Sequence, residues 1–138
     1  MTIEVLSPAA SAHDAHEKNN NTDFQAALSV IATHSEATAT NCYTAGFYLP
    51  NSIPQYAEIL SATLEVWPIT NDDAAFLAFG HAALGADFST NADVLARTLT
   101  RTLAEVTVNQ ANLGTGAYKS ITGDFAPILQ ELVNAREW

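Results

Sequence analysis

The sequence has one cysteine, few basic residues and no long apolar run. Because Cys42 stands alone, we expect no intrachain disulfide and no cysteine-based zinc site. No run approaches the roughly 18 apolar residues that a membrane-spanning helix needs. Five basic residues against fifteen acidic ones give a net charge of −10, which repels phosphate backbones and anionic lipids. We therefore expect neither nucleic acid nor a membrane as a partner.

The composition is that of a small globular protein. The chain has 138 residues, of which 48% are hydrophobic and 14% charged, so it is long enough for one domain with its own core. We interpret the excess of acidic residues as a solvated surface, in preference to a binding site for a divalent cation. Residues 1–8 have neither the basic start nor the apolar stretch of a secretory signal peptide.

The first part of the chain predicts an arm followed by strands. Residues 7–23 are polar and rich in asparagine, which indicates an arm or long loop after a short strand at 3–6. The β-sandwich domain is then expected to span residues 24–138. Segments 24–32 and 42–49 carry β-branched and aromatic residues between polar stretches, as strands do.

Residues 58–67 give the clearest strand pattern, because apolar and polar residues alternate. The alternation predicts one inner face, made of Leu60, Ala62, Leu64 and Val66. Residues 74–84 form an apolar run with Gly80 in its middle, which favours a buried strand over a helix. Residues 91–108 fit either a helical face, made of Leu95, Leu99, Leu103 and Val106, or an alternating strand from 98 to 108. Four threonines between 98 and 107 make a poor helix interior, so we favour a loop that leads into a strand.

The last segment predicts a helix at residues 124–136. Asp124 is a suitable cap, Pro127 falls in the first turn, and an apolar stripe follows. The stripe consists of Phe125, Ile128, Leu129, Leu132 and Val133. Short strands followed by one late helix indicate a mainly β protein, an antiparallel β-sandwich of the jelly-roll type with a C-terminal α-helix.

Three segments resemble a known β-sandwich module. They are AGFYLPNSIPQYAEILSATLEV (45–66), ADFST (86–90) with RTLTRTLAEVTV (97–108), and DFAPILQELVNAREW (124–138). They are similar to a module found in secreted carbohydrate-active or adhesive proteins and in phage structural proteins. Its pattern includes I-P-x-G-A-x-I-x-S-A-x-L-x-V and a closing helix with Q-E-I-V-N. This chain departs from it at Tyr56, Tyr48 and Val108, where the pattern has Gly, Arg and Trp. The resemblance implies a sandwich fold and a structural or adhesive setting, with no defined active site.

Two groups of residues are candidates for binding. Asn71, Asp72 and Asp73 supply the hard oxygen ligands that calcium prefers, although the spacing of a calcium-binding loop is missing and a plain turn explains them as well. Tyr48, Tyr56 and Trp67, with Tyr43 and Tyr118, are candidates for a flat aromatic platform that binds a sugar or a protein, and core packing is the alternative.

No catalytic residues stand out. The sequence has no G-x-S-x-G motif, and Glu58 and Glu65 lie seven residues apart on one predicted strand, which places them on opposite faces. We therefore expect a protein that is not an enzyme and needs no cofactor, with calcium as the weak exception.

These observations favour a non-catalytic structural or assembly protein. The first hypothesis is a phage virion component, either a capsid decoration protein or a tail-associated one, which is assembled in the host cytoplasm and forms a homo-oligomer or binds other virion proteins. The alternative is an extracellular carbohydrate-binding module of a larger secreted protein, with glycans as ligands. A hydrolytic enzyme is the third hypothesis, and it lacks a nucleophile or an acid/base pair. We also expect the arm at residues 7–23 to reach a neighbouring molecule as an added strand.

Overall fold

The computed structural model describes residues 5, 14–18, 25–26, 43–47, 52–71, 73–81 and 101–135. Within these ranges the protein is mainly β with one C-terminal helix, as the sequence predicts. The elements are β1 (Asp14–Lys18), β2 (Gln25–Ala26), β3 (Tyr43–Phe47), β4 (Leu64–Val66), β5 (Ala74–His81), β6 (Arg101–Gln110), β7 (Lys119–Ile121) and α1 (Ala126–Asn134).

The chain divides into two compact units. The first consists of Met1–Ile53 and Ala83–Thr100, and the second of Pro54–Ala82 and Arg101–Trp138. A domain boundary after residue 23 stays a prediction, because most residues near that point lie outside the described ranges. The helix lies in the second unit, together with the four strands β4 to β7.

The first unit contains an antiparallel sheet with the strand order β2–β1–β3. Strand β1 lies within residues 7–23, which we interpreted as an arm or loop, and it has a paired strand on each edge. Ala15 and His16 are paired on both edges, and an added strand from the arm at residues 7–23 stays a prediction. Strands β2 and β3 confirm part of the segments predicted at 24–32 and 42–49. Val5 is the one described residue of the strand predicted at 3–6, and it is not in a strand.

The second unit is built from two antiparallel ribbons and the helix. Strand β4 pairs with β7, where Leu64 lies opposite Ile121, and β5 pairs with β6, where Phe76 lies opposite Val108. Both ribbons and α1 contribute side chains to one core, whose buried members are Ala74, Val108, Ile121, Phe125 and Ile128. Burial of apolar surface on one face of each ribbon accounts for the alternation in the sequence.

The inner face predicted for residues 58–67 is confirmed in part. Ala62, Leu64 and Val66 pack against the core, but only Leu64–Val66 forms a strand. The assignment of Leu60 to the inner face is wrong, because its side chain is 70% exposed. The segment before β4 is bonded to α1 instead of to a strand, and there Ile59 is half-buried while Leu60 and Ser61 both face solvent.

The strands predicted at 74–84 and toward Val108 are confirmed by β5 and β6. Their register shifts between Phe79 and His81, which pair with Glu105 and Arg101. One residue of β5, Gly80, therefore lies opposite three residues of β6, which form a bulge at 102–104. An ideal Cβ on Gly80 would lie 2.8 Å from Leu132 Cδ1, so glycine lets the helix approach the strand closely.

The helix agrees with the predicted stripe, since Phe125, Ile128 and Val133 are buried. Its N-cap is Phe125 and not Asp124 as we expected, because the helix begins one residue later. The Asp124 carboxylate nevertheless accepts a hydrogen bond from the N–H of Ala126 at 3.1 Å, which satisfies a free donor of the first turn. The helix ends at Asn134 rather than 136. In the described ranges no helix is long and apolar enough to cross a membrane.

Candidate functional site

The side chain of Gln130 acts as a neighbouring strand for the segment before β4. Its Oε1 accepts the N–H of Ile59 at 2.8 Å, and its Nε2 donates to the carbonyl of Ala57 at 3.0 Å. These two backbone groups belong to residues i and i+2, the pair that one edge of a strand offers to its neighbour. Asn134 Oδ1 accepts from the same Nε2 at 3.1 Å and orients the amide.

Glu131 performs the corresponding task for the bulge in β6. Its two carboxylate oxygens accept the N–H groups of Leu103 and Ala104, each at 2.8 Å. The buried hydroxyl of Thr102 accepts the N–H of Gly80 at 2.9 Å and donates to the carbonyl of Ala104 at 2.7 Å. The polar groups that the bulge removes from the ladder are thus bonded from two sides.

A large apolar side chain at the bulge faces solvent. Leu103 is 93% exposed, and Leu77 on the paired strand is 41% exposed. Leu103 lies on the outer side of β6 with Arg101, Glu105 and Thr107, because exposed and more buried residues alternate along the whole strand. The sequence alternation at Thr102, Ala104, Val106 and Val108 agrees with an outward Leu103, but it gives no sign of the bulge itself.

A tight turn connects the candidate ligand residue Tyr56 to the helix. The N–H of Ala57 donates to the carbonyl of Pro54 at 3.1 Å, and Tyr56 has a φ of +63°. The backbone N–H of Tyr56 donates to the carbonyl of Val133 at 3.1 Å, and Gln55 Nε2 donates to that of Ala135 at 2.7 Å. The Tyr56 side chain is 68% exposed. Glycine adopts such a left-handed conformation more readily than a residue with a Cβ does.

The residues considered for calcium join two loops. Asn71 Oδ1 accepts the N–H of Gly114 at 2.8 Å, and Asp73 Oδ1 accepts the N–H of Asn112 at 2.9 Å. Asp72 lies outside the described residues. Among the residues that the structure describes, no three His, Cys, Asp or Glu side chains are grouped to hold a metal ion. The observed contacts agree with the turn interpretation, and calcium binding stays a prediction.

The third ligand candidate, Trp67, contacts Tyr118. Their ring centroids are 5.2 Å apart and the rings are inclined at 85°. The two side chains remain 54% and 69% exposed. The two rings meet edge to face, and ligand binding by Trp67 stays a prediction. Tyr48 lies outside the described residues.

Two polar side chains lie beside this aromatic pair. Glu65 is opposite Ser120 in the β4–β7 ladder, and Ser120 Oγ donates to Glu65 Oε1 at 3.3 Å. Residues 65 and 67, and likewise 118 and 120, share one side of the ribbon because side chains alternate. We call the four exposed residues Glu65, Trp67, Tyr118 and Ser120 the ribbon face.

The other edge of β7 is closed by a second glutamine. Gln110 Oε1 accepts the N–H of Thr122 at 2.9 Å, and its Nε2 reaches the carbonyl of Ser120 at 3.4 Å. This amide repeats the bonding of Gln130 and ends the small sheet. It also joins the end of β6 to β7, so it fixes one side of the ribbon face.

Comparisons with known proteins yield no relative, since no protein-family model, curated protein or solved structure matches this chain. The candidate functional surfaces therefore follow from geometry alone. They are the outward Leu103 at the bulge and the ribbon face.

Proposed function

We propose that this chain is a non-catalytic structural protein that acts by assembly, and that it is a phage virion component of the capsid-decoration or tail-associated type. Its partners are copies of itself or other virion proteins, and its place is the virion, assembled in the host cytoplasm. We further propose that the two ribbons belong to a jelly-roll-like β-sandwich. Their side chains meet in one core, which supports that architecture.

The observation that carries the assembly proposal is Leu103. Its side chain is 93% exposed, and Thr102 and Glu131 bond to the backbone of residues 103 and 104. Transfer of a leucine side chain from water into an interface stabilises a complex by about 1.5–3 kcal/mol. Leu77 lies exposed on the outer side of the same ribbon, so an assembly that covers this side would bury two leucines.

The resemblance supports the same role. Gln130 and Glu131, which match the module pattern, bond to the backbone, and so does the turn that contains Tyr56. These positions maintain a scaffold. A structural protein needs such residues, whereas an enzyme would need groups arranged around a substrate.

The test is the molar mass of the full-length chain, measured by light scattering over a range of concentrations. We expect an oligomer that dissociates when Leu103→Asp is introduced. Thr63→Asp is the matched control, because it adds the same charge at an exposed residue and should leave the mass unchanged. A full-length chain that is monomeric at every concentration, or two variants that dissociate equally, would contradict assembly through Leu103.

A carbohydrate-binding module is the second candidate. It is favoured by the exposure of Tyr56 and Trp67, at 68% and 54%, since aromatic rings that remain in water are suited to stacking on sugar rings. In this case the protein would be extracellular. A glycan array with the wild type and Trp67→Ala tests it, and binding that survives the substitution would exclude Trp67 as the sugar contact.

A further inference from the structure

The chain already contains one site where a guanidinium lies between an aromatic ring and a carboxylate. Arg101 is placed over the ring of Phe79, 5.3 Å from its centroid, and its Nη2 is 3.8 Å from Glu105 Oε2. The flat, weakly hydrated guanidinium can stack on a ring while its N–H groups face an acid. All three residues lie on the β5–β6 ribbon, on the side away from the core.

The ribbon face presents the same two kinds of group. Trp67 and Tyr118 supply ring surface, and Glu65 supplies a carboxylate on the same side of the ribbon. Among the described residues, no basic side chain forms an ion pair or a cation–π contact with any of them. Lys119, the nearest basic residue along the chain, lies opposite Val66 and is half-buried.

The loops next to the two rings are bonded to each other in the isolated chain. Asn71 and Asp73 tie the loop that follows Trp67 to the loop that precedes Tyr118. The rings also contact each other at 5.2 Å. A surface that is ordered in advance loses little conformational entropy on binding.

We propose that the ribbon face binds an arginine side chain of a basic segment in a partner protein. Tryptophan, tyrosine and arginine are the residues most enriched among those that dominate protein interfaces. The net charge of −10 attracts a basic partner over distance, and Glu65 provides the local acceptor. The ribbon face does not include Leu103. The inference rests on the proposed function in one respect, namely that the partner is a protein.

The probe is the blocked tripeptide acetyl-Gly-Arg-Gly-amide, titrated into the ¹⁵N-labelled full-length chain at low ionic strength. The comparison peptide carries citrulline, which keeps the planar shape and has no charge. We expect the arginine peptide to shift the indole N–H signal of Trp67 and the amide signals of residues 65–67 and 118–120. The citrulline peptide should shift them far less.

Substitutions distinguish this site from general attraction to an acidic protein. Glu65→Gln should weaken binding about two- to fivefold, the range expected for an exposed ion pair. Glu58→Gln removes the same charge from an exposed site outside the ribbon face and should leave the affinity unchanged. Trp67→Ala should abolish the response, and Glu65→Gln serves alone if the tryptophan variant does not fold.

Four results would overturn the proposal. The first three are equal responses to arginine and citrulline, equal weakening by Glu65→Gln and Glu58→Gln, and shifts spread over acidic residues away from the ribbon face. Response to a neutral sugar without any response to arginine would do the same. None of these results bears on assembly through Leu103, which the molar mass tests separately.

Discussion

Tyr56 occupies a backbone conformation that side chains with a Cβ avoid, since its φ is +63°. Its ring is 68% exposed, so little packing compensates for the strain. We expect Tyr56→Gly to be more stable than Tyr56→Ala by about 1 kcal/mol, because both remove the ring and only glycine relieves the left-handed conformation. Urea unfolding of the two variants measures the difference, and equal stabilities would show that the turn is not strained.

Glu131 tests the bonding of the bulge. Its two oxygens accept two backbone N–H groups, and Glu131→Gln replaces one acceptor with an amide donor. We expect a loss of about 1–3 kcal/mol in the free energy of unfolding. Glu58→Gln, at an exposed residue, should change it by less than about 0.5 kcal/mol. Equal effects in thermal unfolding would mean that the carboxylate does not support the bulge.

At the scale of single elements, the segment 58–67 shows that an alternating sequence does not guarantee that each apolar residue is packed. Leu64 packs against the core, whereas Thr63 is exposed and Leu60 is 70% exposed. We expect Leu64→Asp to cost several kcal/mol, since it places an unpaired charge against apolar side chains. Thr63→Asp and Leu60→Asp should both be tolerated. The melting temperatures of the three variants test this expectation. If Leu60→Asp lowers the melting temperature as much as Leu64→Asp does, Leu60 faces the core and the strand alternates over its whole length.

The elements that sequence reasoning found are those with a local signal. The alternation at residues 62–66, the apolar run at 74–81 and the stripe of α1 each arise because one side of the element is buried. The outward direction of Leu60 could not be predicted from the local pattern. It depends on the hydrogen bond between Gln130 and Ile59, which are 71 positions apart in the sequence. The bulge at 102–104 likewise depends on Glu131.

The candidate site was harder to predict than the elements. Asn71 and Asp73 have the same oxygen atoms whether they bind calcium or backbone N–H groups, so residue type alone leaves both open. Trp67 and Tyr118 meet because β4 pairs with β7, a contact between distant parts of the chain. Their angle of 85° is a property of that pairing, which residue type alone does not give.

At the scale of the whole molecule, the described part of the second unit combines a well-bonded scaffold with exposed apolar and aromatic side chains. Gln110, Gln130 and Glu131 bond to backbone groups that strands leave unpaired. Backbone groups that are already bonded cannot pair with a strand of another molecule, so this bonding limits aggregation through sheet edges. Leu103 and the ribbon face would then be the specific contacts, and they offer an apolar and an acidic aromatic surface respectively.

The central claim is that the chain is a component of an assembled phage particle. The direct test is quantitative mass spectrometry of purified phage particles whose genome encodes this chain. We predict peptides of this chain in a fixed ratio to the major capsid protein, retained after a high-salt wash that removes adsorbed protein. Absence from the washed particles, with the chain recovered only as free protein, would contradict the account.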